Sequence, residues 1–422
     1  MSFVKLLLCL PLLAFATPAQ SADLSALTAT LAKVRATHGV NTDRDAGPEL
    51  NTVKHALRDW IEPQLPVAPQ ANAAGIGYLL DPQDLTALGV RLSAELDAAG
   101  LTCGHKGALH ADCGDPNGME NERGYVDRVR VARFDNDHYL LVVTGVGVLC
   151  GFDESAYLYE QDASHRWRRL LSIEQDTYDS SYKPENFLSI DVSPSDVAWN
   201  DPAPPPLVAA VGTGPWCTSN WHELHTRLWR AARATQKPRP ILDREDELYI
   251  GYDFVAAARL TKDRLLVQFT GGSIDGDVLI RTHVLHYAIG ANDRLSRISP
   301  VALNPGDFVE EWATSPWTEA SKWLAPGANR RALARLHASN FSGEFDGTPR
   351  QCRRDRNLWQ VNFADTGTPA DKTRPHHVLV RWTAPYDFGL VAVSARPFVG
   401  CDQEVTSSSD IGTLFPLQGW MP

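Results

Sequence analysis

The sequence predicts a mainly β protein: repeated four-stranded antiparallel units, in a β-propeller-like or related array, with helices before them and an α+β part after them. Three observations predict this. Residues 129–173 read as four short runs rich in Val, Leu, Tyr and Phe, separated by turn-forming stretches such as Asp135-Asn136-Asp137. The same grammar returns at residues 254–299, and more loosely at 188–229. The third runs of the units can be laid over one another, with Leu158, Leu224 and Leu285 as matching centres. Adjacent strands joined by short turns are antiparallel, and a fixed-period repeat of such meanders points to a radial or stacked β array.

In chain order, residues 1–22 read as a secretory signal. Lys5 supplies the positive start, residues 6–15 the apolar core, and small residues up to Ala22 the cleavage zone. The expected location is therefore periplasmic or extracellular. Residues 23–127 form a helical segment and a loop. Leu24, Leu27, Leu31 and Val34 recur at helical spacing, as do Leu50, Val53, Leu57 and Trp60, and then Leu85, Leu88, Leu92 and Leu96 before Gly100. Residues 128–303 carry the repeats. Residues 304–422 change character, with helical turns near Trp312, a helix capped by Ser315, and three more apolar runs, as expected of an α+β domain or cap.

The chain has 422 residues, 43% hydrophobic and 22% charged, with a formal net charge of −11. That charge excludes nucleic acid and anionic membrane as expected partners, and no later stretch is apolar enough to span a bilayer. Of seven cysteines, Cys9 falls in the signal. The other six favour three pairings by position: Cys103 with Cys113, Cys150 with Cys217, and Cys352 with Cys401. The second would join matching connections of successive units, since each cysteine follows a Gly-x-Gly stretch that reads as a turn.

No motif names a reaction. His222 and His225, like His283 and His286, are three residues apart. On a strand that spacing sends the rings to opposite faces, so neither pair is a natural metal clamp, and His-Glu-Leu-His lacks the spacing of zinc peptidases. No metal and no cofactor are expected. The loop with Asp112, Asp115, Asn117, Glu120 and Glu122 departs from the calcium-loop pattern, and Ser180 with Lys183 lacks the partner motifs of serine acyl-transferases. Trp312, Trp317 and Trp323 sit in a setting that favours packing over sugar stacking. The remaining candidates are Asp153, Glu154, Asp275 and Asp277. They read as acids in equivalent connections of the first and third units, on one rim. Such acids can bind a ligand or partner, or act as paired carboxylates of a hydrolase. The expectation is an exported binding module, with a secreted hydrolase as the alternative.

Overall fold

The structure, a computed structural model, describes residues 24–36, 46–65, 82–102, 124–127, 129–134, 138–148, 151–162, 164, 166–175, 185–194, 204–214, 219–233, 237–251, 255–273, 280–298, 302–338, 349–364, 375–384 and 387–404. Among them, helices α1 (Ser25–Ala36), α2 (Gly47–Ile61) and α3 (Pro82–Ala98) precede three four-stranded sheets. The first sheet is β1 (Arg130–Phe134), β2 (Tyr139–Val148), β3 (Gly151–Gln161) and β4 (Trp167–Ile173), and the second is β5 (Asn186–Val192), β6 (Leu207–Thr213), β7 (Trp221–Arg230) and β8 (Arg239–Tyr249). The third is β9 (Ala256–Leu260), β10 (Arg264–Gly272), β11 (Ile280–Ile289) and β12 (Leu295–Arg297). Each is an antiparallel meander whose strands pair in chain order. The chain is thus mainly β, built of repeated four-stranded units.

Alternation along the strands explains how the sheets stack. On one face of the first sheet, Leu140, Val142, Tyr157 and Tyr159 pack under the helices, against Leu31, Leu50, Val53, Leu57, Leu92 and Leu96. The opposite face, with Leu141, Val143, Ala156 and Leu158, meets Phe187, Val208 and Ala210 of the second sheet. The far face of the second sheet, with Val211, Leu224 and Leu228, meets Leu265, Val267, Phe269 and Leu285 of the third. Leu158 and Leu224 therefore face forward along the stack, while Leu285 faces back. The sequence overlay of the third unit is one residue out of register, and a slip of one residue reverses the face of a strand.

One further expectation is corrected. The Gly-x-Gly stretches before Cys150 and Cys217 are not turns, because residues 144–148 continue β2 and Val211 to Thr213 belong to β6. The second unit is completed, as its four-stranded plan requires, by β8, which carries charges of both signs and is about half exposed.

The C-terminal part has its own core, in which α4 (Pro305–Thr314), α5 (Trp317–Ala320) and α6 (Arg330–His337) pack on a five-stranded antiparallel sheet. Its strands are β13 (Arg350–Gln351), β14 (Leu358–Ala364), β15 (Pro375–Ala384), β16 (Asp387–Ser394) and β17 (Gln403–Glu404). Asn304 caps α4 by accepting from Asp307 N–H at 3.0 Å. Ser315 closes α4 instead of opening the next helix. Trp312 and Trp323 are buried and Trp317 packs against the same core, as their helical setting implies. Cys352 and Cys401 are joined in a disulfide, while Cys103, Cys113, Cys150 and Cys217 lie outside the described residues.

Candidate functional site in the seam between the first two sheets

The seam between the first and second sheets is apolar until it reaches Gly145 on β2 and Gly212 on β6. Alternation would aim a side chain into the seam at each of these positions, and glycine leaves the space empty. Glutamates occupy it. Glu154, the cross-strand partner of Gly145, lies over that glycine, where an added Cβ would meet its Cγ at 3.2 Å. Glu185, just before β5, lies over Gly212 so closely that a Cβ there would sit 2.4 Å from its Oε1. Glycine within a strand thus marks a close approach.

Both carboxylates are buried and held by basic partners. Glu154 pairs with Arg130 and accepts from the Phe187 N–H at 2.5 Å. Burial raises its carboxyl above the ordinary range, partly offset by Arg130 and the Phe187 amide. Glu185 pairs with Arg227, and its carbonyl accepts the Glu154 N–H at 2.8 Å. Burial pushes the Glu185 carboxyl up to about 7, with Arg227 pulling it down and Asp153 raising it further. A third acid, Glu174 after β4, accepts from Tyr157 Oη at 2.7 Å and from Arg58 Nη1 at 3.1 Å. Glu154, Glu174, Glu185 and Arg227, with Ile173, Gln175 and Phe187, line a cavity of about 50 Å³. That is room for a few waters or one small ion, far less than a sugar ring needs.

Asp153 and Glu154 share no rim. They are consecutive strand residues and point to opposite faces. Asp153 faces the helices, where it meets Lys54 of α2 at 2.8 Å with both side chains almost wholly buried. Lys54 also donates to the Gln175 carbonyl. Asp275 and Asp277 lie outside the described residues, as do Ser180, Lys183 and the acids from Asp112 to Glu122. The histidine pairs are on strands, β7 and β11, with their rings on opposite faces. His225 turns into the seam and is 1% exposed. His222 lies near the Gly214 carbonyl at 3.3 Å. His283 contacts Glu311 at 2.8 Å, and His286 is buried on the outer face of the third sheet.

Sequence reasoning missed Lys54, Arg130, Glu174, Glu185 and Arg227. The available signal was the pair of glycines inside apolar strands. A glycine there marks a place where another group comes close.

No family model matches the sequence, and no curated protein does. Among solved structures, one described as a BT0996 RGII complex is similar over 67% of this protein and 89% of its own length, at 10% identity and a TM-score of 0.23. That likeness is too loose to carry functional information. No helix among the described residues is long and apolar enough to cross a membrane.

Proposed function

We propose that the protein is an exported binding module that takes a small, positively charged group at the seam between the first two sheets. The observation that carries this reading is the convergence of Glu154, Glu174 and Glu185 on one small cavity that, among the described residues, a single basic side chain, Arg227, also lines. Each acid is held in place by hydrogen bonds or ion pairs from neighbouring elements. Burial raises the carboxyls of Glu154 and Glu185, and a cation bound between them would favour their charged forms. The cavity volume supports the same choice over glycoside hydrolysis, which needs a cleft that admits a sugar between its carboxyls. Asp275 and Asp277, which follow Gly271-Gly272 in the third unit's sequence, are the second place to look. Export is supported by Lys5 with the apolar run behind it and by the Cys352–Cys401 disulfide.

The test is a thermal-shift and calorimetric screen of the mature protein against diamines, cationic peptides and neutral glycans. Cationic members are expected to stabilise the protein, and Glu154→Gln to remove that effect while the circular dichroism spectrum stays native. Stabilisation by neutral glycans alone, or binding unchanged in Glu154→Gln, would refute the reading. N-terminal sequencing of protein from the envelope or medium tests export, and an intact Met1 there would count against it.

A further inference from the structure

The face of the second sheet that carries Arg227 also carries Glu223 and His225, two residues apart on β7 and so on the same side. Antiparallel register sets Glu245 of β8 directly across from His225. One ligand atom from each of Glu223, His225 and Glu245 lies within 4.8 Å of the others, and His225 Nε2 is 3.4 Å from Glu223 Oε2. The two glutamates reach solvent, whereas the imidazole between them is almost wholly buried. Behind the ring, Glu185 Oε1 stands 4.0 Å from His225 Nδ1. That oxygen is buried and makes no hydrogen bond among the described residues, while Oε2 of the same carboxylate is engaged by Arg227.

We propose that Glu223, His225 and Glu245 bind a divalent transition-metal cation of the Zn²⁺ class, with Glu185 as the outer carboxylate that orients the imidazole. The chemistry follows from the arrangement. A carboxylate facing Nδ1 favours the tautomer with its proton there, and this directs the Nε2 lone pair toward the two glutamates. A metal-bound histidine commonly has such a partner behind it. Imidazole with two carboxylates suits Zn²⁺ better than Ca²⁺ or Mg²⁺, which prefer an all-oxygen shell. Bonds of about 2.0–2.1 Å draw tetrahedral ligands to roughly 3.3 Å apart. The contraction this requires falls on two exposed glutamates, whose side chains turn at little cost. Three protein ligands leave one position open to water or to a ligand donor group. The site lies at the exposed edge of the same seam and names a ligand for it, so it rests on the binding reading.

The test uses the whole mature protein, stripped with chelator and dialysed. Titration with Zn²⁺ by calorimetry is expected to give one ion per chain, and Co²⁺ to give the visible absorption of a tetrahedral site with nitrogen ligation. His225→Ala and Glu245→Gln should abolish both signals. Glu185→Gln should weaken binding at least tenfold, and His222→Ala, on the opposite face, should leave it unchanged. Glu223→Gln and Glu245→Gln change exposed residues, so they keep the test decisive if His225→Ala fails to fold. Equal Zn²⁺ binding by wild type and by Glu245→Gln or His225→Ala means an adventitious cation only and overturns the proposal, as does the absence of one-to-one binding. Loss of Zn²⁺ binding with cationic-peptide binding intact would sink the metal site and spare the wider reading. A protein that binds neither would sink both.

Discussion

Lys54 and Asp153 make the sharpest case at the scale of single residues. Both side chains are withdrawn from water and meet at 2.8 Å between α2 and β3. Removing one charge strands the other, so Lys54→Met is expected to cost about 3–5 kcal/mol, measured by urea unfolding. Adding Asp153→Leu to that variant should restore much of the loss, because an apolar pair of similar volume needs no desolvation of ions. If the single change costs nothing, the pair is not the clamp its burial implies. Asp153 is thus a buried structural acid, and the sequence could not say so. Its appearance among glycines and acids is that of a turn, and its partner lies 99 residues away.

Glu160 yields a pH dependence. Burial alone would raise its carboxyl, but hydrogen bonds from His138 and Arg233, and the charge of Arg233, bring it down to about 2. A carboxyl whose folded value is depressed contributes stability that is present above its unfolded value, near 4.5. That contribution is lost as pH falls through about 2. The stability difference between wild type and Glu160→Gln should therefore be constant above pH 5 and shrink toward zero between pH 4.5 and 2. Acid unfolding of the two proteins side by side checks this, and a gap that persists at low pH would contradict it.

At the scale of elements, α4 is the connector between the array and the C-terminal part. Its Glu311 accepts from Arg281 at 2.8 Å, from His283 at 2.8 Å and from Arg297 at 2.7 Å, all on the third sheet. Despite burial, these three hold its carboxyl below the usual range. Glu311→Gln leaves Arg281 and Arg297 buried without that anion. It should cost about 3–5 kcal/mol and expose the link before α4 to limited proteolysis. Asn304→Ala removes only a cap and should cost about 1 kcal/mol. A larger effect from Asn304→Ala than from Glu311→Gln would mean that α4 is held by its own helix and not by the sheet.

Elements were legible in the sequence where apolar periodicity was strong. The α1, α2 and α3 stripes and the hairpins of the first and third units could be read directly. The strand β8 was not legible, because Arg239–Tyr249 buries only Leu248 fully and mixes Asp, Glu and Arg through the run. Nor was the true length of β2 and β6, since glycine mid-strand mimics a turn. The seam cluster was hidden for another reason. Glu174, Glu185 and Arg227 come together only once two sheets are stacked, and local spacing carries no trace of that.

At the scale of the whole molecule, ion pairs cross every junction of the stack. Lys54–Asp153 and Arg58–Glu174 tie the helices to the first sheet and the residues that follow it. Glu160–Arg233 ties the first sheet to the segment after β7, Arg230–Asp293 the second to the third, and Arg297–Glu311 the third to the C-terminal part. The C-terminal sheet adds a covalent closure, with Cys352 and Cys401 49 residues apart in sequence. On the chain-entropy account that bridge is worth about 4 kcal/mol. Replacing both cysteines with alanine should lower the melting transition of this part while leaving that of the array nearly unchanged. A uniform loss across both would show that the two melt as one unit.

The reversed facing of Leu285 bears on how such a protein can have grown. The first two sheets turn Leu158 and Leu224 toward the next layer, while Gly145 and Gly212 face each other across one seam, so each sheet supplies a different half of it. The third presents its matching leucine backward, and its outward side carries only a small apolar group around Leu266 and Val284. It is a terminus, not a template. A copy of the first sheet alone would carry Gly145 without Gly212, and a copy of the second Gly212 without Gly145, so the acidic seam is repeated only when both layers are. The seam is thus a property of a pair of unlike layers and not of the repeated unit.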